Sequence, residues 1–183
     1  MPYLFESERL GFRRLTQEDY LLVCSFLKDA EVMYAWEHAF SDEECHQWLD
    51  RQIGRYERDG FSLWAVIRKK DEAFLGVCGL TMQPFDGRMV PEIGYLFKRR
   101  YWHRGYAAEA AVACREYAFD VLDIDEVYSI IRDSNAASVA VAKRNGMTQV
   151  GGLVKHYYNM DMPHLVYSVR RDEVRPHIEN RKS

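Results

Sequence analysis

The chain has no paired-cysteine motif. Its four cysteines, Cys24, Cys45, Cys78 and Cys114, stand 21, 33 and 36 residues apart, which fits neither a zinc site nor a dense disulfide scaffold. Six histidines form no HxH or HExxH pattern, so no metal site is expected. No apolar run approaches the ~20 residues of a membrane span. No positive–apolar–small leader pattern opens the chain, and no repeat or low-complexity segment interrupts it. A net charge of −3 lacks the strongly basic footprint of a nucleic-acid binder. These absences predict a soluble, cytoplasmic protein of a reducing compartment, with neither membrane nor nucleic acid as partner. The 183 residues suit one domain with a substantial core.

The pattern along the chain is mixed. Arg9 to Leu15 alternates as a half-exposed strand does. Thr16 with Asp19 forms an imperfect capping box before a helix over 17–27. Ser41 opens a second helix that reaches 57 or 58, with Trp48, Ile53 and Tyr56 facing inward and Gly60 as its stop. Strands follow at 61–68 and 73–82, the first with Phe61, Leu63, Ala65 and Ile67 on one side. A turn at 84–87 leads to a strand over 90–97. Then come a helix at 106–121, a strand at 126–132, a helix at 136–145, and strands near 147–155 and 164–170. The fold class expected is mixed α/β (α+β), with a mostly antiparallel twisted sheet of six to seven strands and about four flanking helices. One domain spans 8–170, and 171–183 is a charged tail.

Three segments carry the chemistry. In the first, Lys98, Arg99, Arg100, His103 and Arg104 crowd the start of a helix, where each cation costs a few tenths of a kcal/mol, up to ~1. Either this is a solvated basic loop before a surface helix, or a bound anion explains the cations, with Gly105 and Ala107 letting it approach the backbone amides. The second is the strand Val90 to Phe97. It places Glu92, Gly94 and Leu96 on one face and Ile93, Tyr95 and Phe97 on the other. A glycine there marks a bulge or a close ligand approach, and Glu92 is either a solvent-facing strand residue or a general base. In the third, Arg132 to Ser138, Asn135 is suited to cap a helix and Ser138 sits in that helix's first turn.

Together, EIGYLF, YWHRGYAAEA and SNAAS followed by AKRNGM resemble the GNAT superfamily of acyl-CoA-dependent N-acetyltransferases. The opening RLGFRRLTQEDY is similar to its RimJ/RimL-like branch. The resemblance covers about Glu8 to Arg170. It implies direct acetyl transfer from acetyl-CoA to a primary amine, either a protein N-terminal α-amine or a small-molecule amine, with coenzyme A as product and no metal. The amides around His103, Arg104, Gly105, Tyr106, Ala107 and Ala108 would hold the coenzyme A pyrophosphate. The backbone of Tyr95, Leu96 and Phe97 would pair with the pantetheine arm, and Asn135 would contact the cofactor near it. Glu92, directly or through water, would be the base.

Ser138 would be the acid toward the departing thiolate, because the tyrosine that many relatives use falls at Ala142. Tyr157 and Tyr158 are more distant substitutes. Trp102, Arg144 and Met147 are milder departures from the family pattern. The acceptor would meet Trp36 and Glu37 on one side and the loop from His156 to Asp161 on the other. The alternative is a non-catalytic acyl-CoA sensor of the same fold. Relatives occur as monomers and homodimers.

Overall fold

Local start signals seen in the sequence are made in full. The Ser41 hydroxyl accepts the Glu44 N–H at 3.2 Å, and the Glu44 carboxylate accepts the Ser41 N–H at 2.8 Å. This capping box starts helix α2 (Asp42–Arg58). Near Thr16 the box forms too, the Asp19 carboxylate accepting the Thr16 N–H at 2.9 Å. It opens only a 3-10 turn, and α1 proper is Tyr20–Leu27, shorter than expected.

The computed structural model describes residues 2–157 and 159–175. Its strands are β1 (Phe5–Glu6), β2 (Leu10–Arg13), β3 (Leu63–Arg68), β4 (Ala73–Phe85), β5 (Arg88–Phe97), β6 (Glu126–Arg132), β7 (Thr148–Tyr157) and β8 (Met160–Arg170). The remaining helices are α3 (Tyr106–Asp120), α4 (Ala136–Arg144) and the short α5 (Arg171–Val174). All eight strands form one sheet in the order β1-β2-β3-β4-β5-β6-β8-β7. Its pairs are antiparallel except β5 with β6. The strand beyond the expected six to seven is β1, whose two residues give no alternation to read. In the charged tail, α5 follows β8 directly, and residues 176–183 lie outside the described residues.

Two boundaries moved for identifiable reasons. The turn expected at 84–87 contracts to Asp86 and Gly87, both at positive φ (50° and 73°), as a two-residue hairpin of this hand requires. Pro84 stays in β4, paired with Met89. It is tolerated because β3 reaches β4 only as far as Gly79, so Pro84 owes no N–H on that side. In β3, Leu63 to Ile67 are all buried. Trp64 meets Tyr117 of α3 edge-on at 5.3 Å, while Phe74 of β4 stacks with Phe26 of α1 at 6.3 Å. Helices therefore cover both faces of this half of the sheet, and period-2 alternation fades.

Candidate active site

β4 and β5 pair continuously from Phe85↔Arg88 to Gly76↔Phe97. The parallel neighbours β5 and β6 share one register pair, Glu92↔Tyr128. Past it the two strands diverge, and side chains take over the ladder's work. The Ile130 N–H donates to Glu92 Oε1 at 3.2 Å, and Ser129 Oγ donates to the Ile93 carbonyl at 3.3 Å. Glu92 thus sits at the apex of a fork between two central strands. Burial pushes its carboxyl above the ordinary glutamate value, opposed by Lys155, the Ile130 N–H and Arg55. Gly94, two residues on, is not demanded by packing: a Cβ there would find only Leu63 Cδ2, at 3.9 Å. Its missing side chain leaves room on the Glu92 face.

Tyr95 points to the opposite face, toward Cys78 and α4. Burial raises the phenol's pKa, and the neighbouring Ser138 side chain works against the rise. Ser138 is half-buried in the first turn of α4. Asn135 caps this helix, its Oδ1 accepting the Ser138 N–H at 3.1 Å. The cap fixes Ser138 and leaves the Asn135 amide nitrogen as the donor end of that side chain. Ala142 is buried and offers no acid. Tyr157 lies on the exposed end of β7, and Tyr158 lies outside the described residues.

Leu96 and Phe97 are buried. The Phe97 carbonyl accepts the Trp102 indole N–H at 2.8 Å, so that carbonyl already has a partner. The basic turn is also less uniform than its sequence. Arg99 turns away to Asp29, at 3.7 Å, and to Glu31. Lys98 lies over the Phe74 ring at 4.9 Å. Both have local partners away from the helix start, which corrects the expectation that all these cations face one anion. Arg100 stacks on Tyr101 at 4.8 Å, and His103 and Arg104 are exposed.

Gly105 is the N-cap of α3 at φ 76° and supplies no side-chain cap, unlike Ser41 and Asn135 at α2 and α4. Ala107 and Ala108 are half-buried in the first turn. Tyr106 is buried, its hydroxyl accepting from Arg68 at 3.3 Å. Arg9 braces the turn from β1–β2. It donates to the Arg104 carbonyl at 3.1 Å, pairs with Glu109 at 2.6 Å and stacks on Tyr106 at 4.5 Å.

On the acceptor side, Trp36 is half-buried against the core. Glu37, at φ 64°, forms an ion pair with Arg132 at the end of β6. Its carboxylate is therefore engaged across the chain, not held ready for a cation. His156 and Asp161 pair at 2.9 Å on the β7–β8 hairpin. The nearness of Tyr95 to Ser138, the Glu37–Arg132 pair and the Arg9 brace were not legible in the sequence. Their partners lie 43, 95 and 100 residues apart, and nothing local signals them.

A fork between the central strands is followed along the chain by a glycine turn at the start of α3. The acetyltransferase (GNAT) domain family matches residues 9–148. The chain belongs to this family and is an acyltransferase. An uncharacterized Bacillus subtilis protein, YkkB, is 32% identical over 142 residues, covering 77% of this chain and 83% of that protein. Among solved structures, a GNAT-family acetyltransferase from Bacillus anthracis superposes with a TM-score of 0.77 at 23% identity, over 90% of this chain and 96% of the other. RimL, a ribosomal alpha-N-protein acetyltransferase solved in complex with coenzyme A, gives 0.75 at 18% identity, over 91% and 97%. The GNAT acetyltransferase fold is thus shared along nearly the whole chain. Among the described residues no helix is long and apolar enough to cross a membrane.

Proposed function

We propose that this acetyltransferase transfers acetyl from acetyl-CoA to a primary amine, a protein α-amine or a small-molecule amine, at the β5–β6 fork. The observation that carries the reading is the half-buried Glu92 carboxylate at the apex, bonded to Ile130 and facing the space left by Gly94. The helix start fits a cosubstrate bearing phosphates. The first N–H groups of α3 have no intrahelical acceptor, Gly105 brings no competing oxygen, and Arg100, His103 and Arg104 precede them in the chain. Residues 103–108 would hold the phosphates, and Asn135 with the backbone of Tyr95 and Leu96 would hold the arm.

Acetyl-CoA supplies the acetyl group as an activated thioester. Glu92 removes the proton from the acceptor nitrogen, directly or through one water, and its raised pKa keeps it basic enough to do so. Backbone N–H groups exposed by the fork polarise the reacting carbonyl. The Ser138 hydroxyl, a neighbour of Tyr95, stands on the other side as proton donor to the leaving sulfur. The test is thiol release from acetyl-CoA across a panel of amines, with Glu92→Gln and Ser138→Ala alongside wild type. Tight coenzyme A binding without turnover of any amine refutes the reading and leaves an acyl-CoA sensor.

A further inference from the structure

Strand β4 is apolar but for Cys78, Thr81 and Gln83. The β4–β5 register sets Thr81 directly across from Glu92, and Gln83 across from Val90. Opposite residues of an antiparallel pair share a face, with Cβ atoms about 4.5–5.5 Å apart. Thr81 and Gln83 therefore lie on the side that carries Glu92. Cys78, across from Tyr95, lies on the other. Thr81 is buried and Gln83 half-buried. Gln83 Nε2 donates to Thr81 Oγ1 at 3.2 Å, which occupies a lone pair of the hydroxyl and leaves its proton to give. Among the described residues nothing accepts that proton. Glu92 is the complement: Oε1 accepts the Ile130 N–H at 3.2 Å, and Oε2 accepts from no described residue. A buried hydroxyl with a proton to give thus faces a carboxylate with an oxygen to take it. β4 carries no charged side chain, so a dipole stands across from the base on this strand. The charges acting on Glu92 come from Lys155 of β7 and Arg55 of α2. Tyr128 is its register partner on β6, and Tyr95 follows it on β5.

We propose that Thr81 is a positioning residue for Glu92: its hydroxyl, oriented by Gln83, donates to Oε2, directly or through one water, and aims the carboxylate at the space left by Gly94. The inference rests on the reading of Glu92 as the base. With Ile130 on one oxygen and Thr81 on the other, the carboxylate is held from both neighbouring strands. Each oxygen keeps a further lone pair, so the acceptor's proton still has a place to go. A donor to a carboxylate also favours its charged form, and Thr81 thereby offsets part of the effect of burial.

The experiment uses T81V, which puts a methyl where the hydroxyl was, and T81S, which returns a hydroxyl. Valine suits a buried strand, and thermal unfolding verifies the fold. T81A gives the same measurement if valine is not accommodated. Carbon-13 NMR of glutamate-labelled protein follows the Glu92 carboxyl, identified as the resonance that E92Q lacks. Its titration midpoint should rise by about one pH unit in T81V and return in T81S. In turnover of acetyl-CoA, T81V should lower kcat about tenfold and leave the KM for acetyl-CoA unchanged. The rising limb of kcat/KM should move to higher pH. A midpoint that T81V leaves in place, or that T81S does not restore, overturns the proposal. If E92Q keeps full activity, or no amine is turned over, the base reading fails. The carboxyl titration still decides whether Thr81 holds Glu92.

Discussion

Replacing Glu92 by glutamine removes the base and leaves the fork standing. Glutamine keeps an Oε1 that can accept the Ile130 N–H, now bonded at 3.2 Å, so β5 and β6 should still diverge where they do. Stability should not fall at neutral pH. The folded pKa of Glu92 is raised by burial, so its stabilising contribution is complete below the unfolded value and lost as pH rises through the folded one. Glutamine stays neutral at every pH, so the variant lacks this pH dependence. The chemical cost is large: loss of a positioned general base slows transfer by about 10²–10⁴-fold. Thiol release under saturating acetyl-CoA measures this, and thermal unfolding verifies the fold. In wild type, kcat/KM should rise with pH along a limb centred above the ordinary glutamate value of 4.5, and that limb should vanish in the variant. A loss of less than about tenfold, or a limb that survives the substitution, refutes Glu92 as the base.

Gly105→Val places a β-branched residue at φ 76°, a strain of about 1–2 kcal/mol. The space itself is open, since the nearest atom to a new Cβ is Arg9 Nη2 at 3.5 Å. Calorimetry should therefore show weakened coenzyme A binding on a folded protein, and unchanged affinity would mean that the turn binds no phosphate. Tyr95→Phe should lower kcat in the same direction as Ser138→Ala, and the double variant should lose less than the sum of the two; additive losses would separate the two hydroxyls. Asp19→Asn breaks a pair in which Arg13 donates at 2.7 and 2.8 Å, at a cost of about 3 kcal/mol in urea unfolding. Burial works to raise the Asp19 pKa, but the bonds from Arg13 and Thr16 outweigh it and leave it lowered. Its contribution is thus present above the unfolded pKa and disappears as pH falls through the folded one. Wild type and variant should converge in stability in acid, and a gap unchanged between pH 7 and pH 3 would refute this.

Most of the fold was legible because its signals are local. Ser41 and Glu44 carry α2's start in four consecutive residues, Asn135 carries that of α4, and the strand over 126–132 has the limits its residues suggested. The hairpin at 84–87 was misplaced because proline reads as a turn unless one knows that β3 has already ended. In the site, Gly105 could be picked out because it brings cations and no cap to a helix start, whereas Glu92, Asn135 and Ser138 gained their roles from the resemblance, since each also suits its own element. Tyr95 was read for its backbone alone, since the chain gives no sign that it neighbours Ser138. Arg99 was read as part of a cluster, since its partners Asp29 and Glu31 belong to a distant loop.

The amino-acid order by itself determined the alternation of strands and helices, the caps, the glycine turn and the family, because these depend on residues within a few positions of one another. The tertiary structure decided which charges are free to act. Arg99 and Glu37 are taken up by ion pairs. Coulomb interactions depend on distance in space, and folding brings Glu37 to Arg132 across 95 positions of the chain.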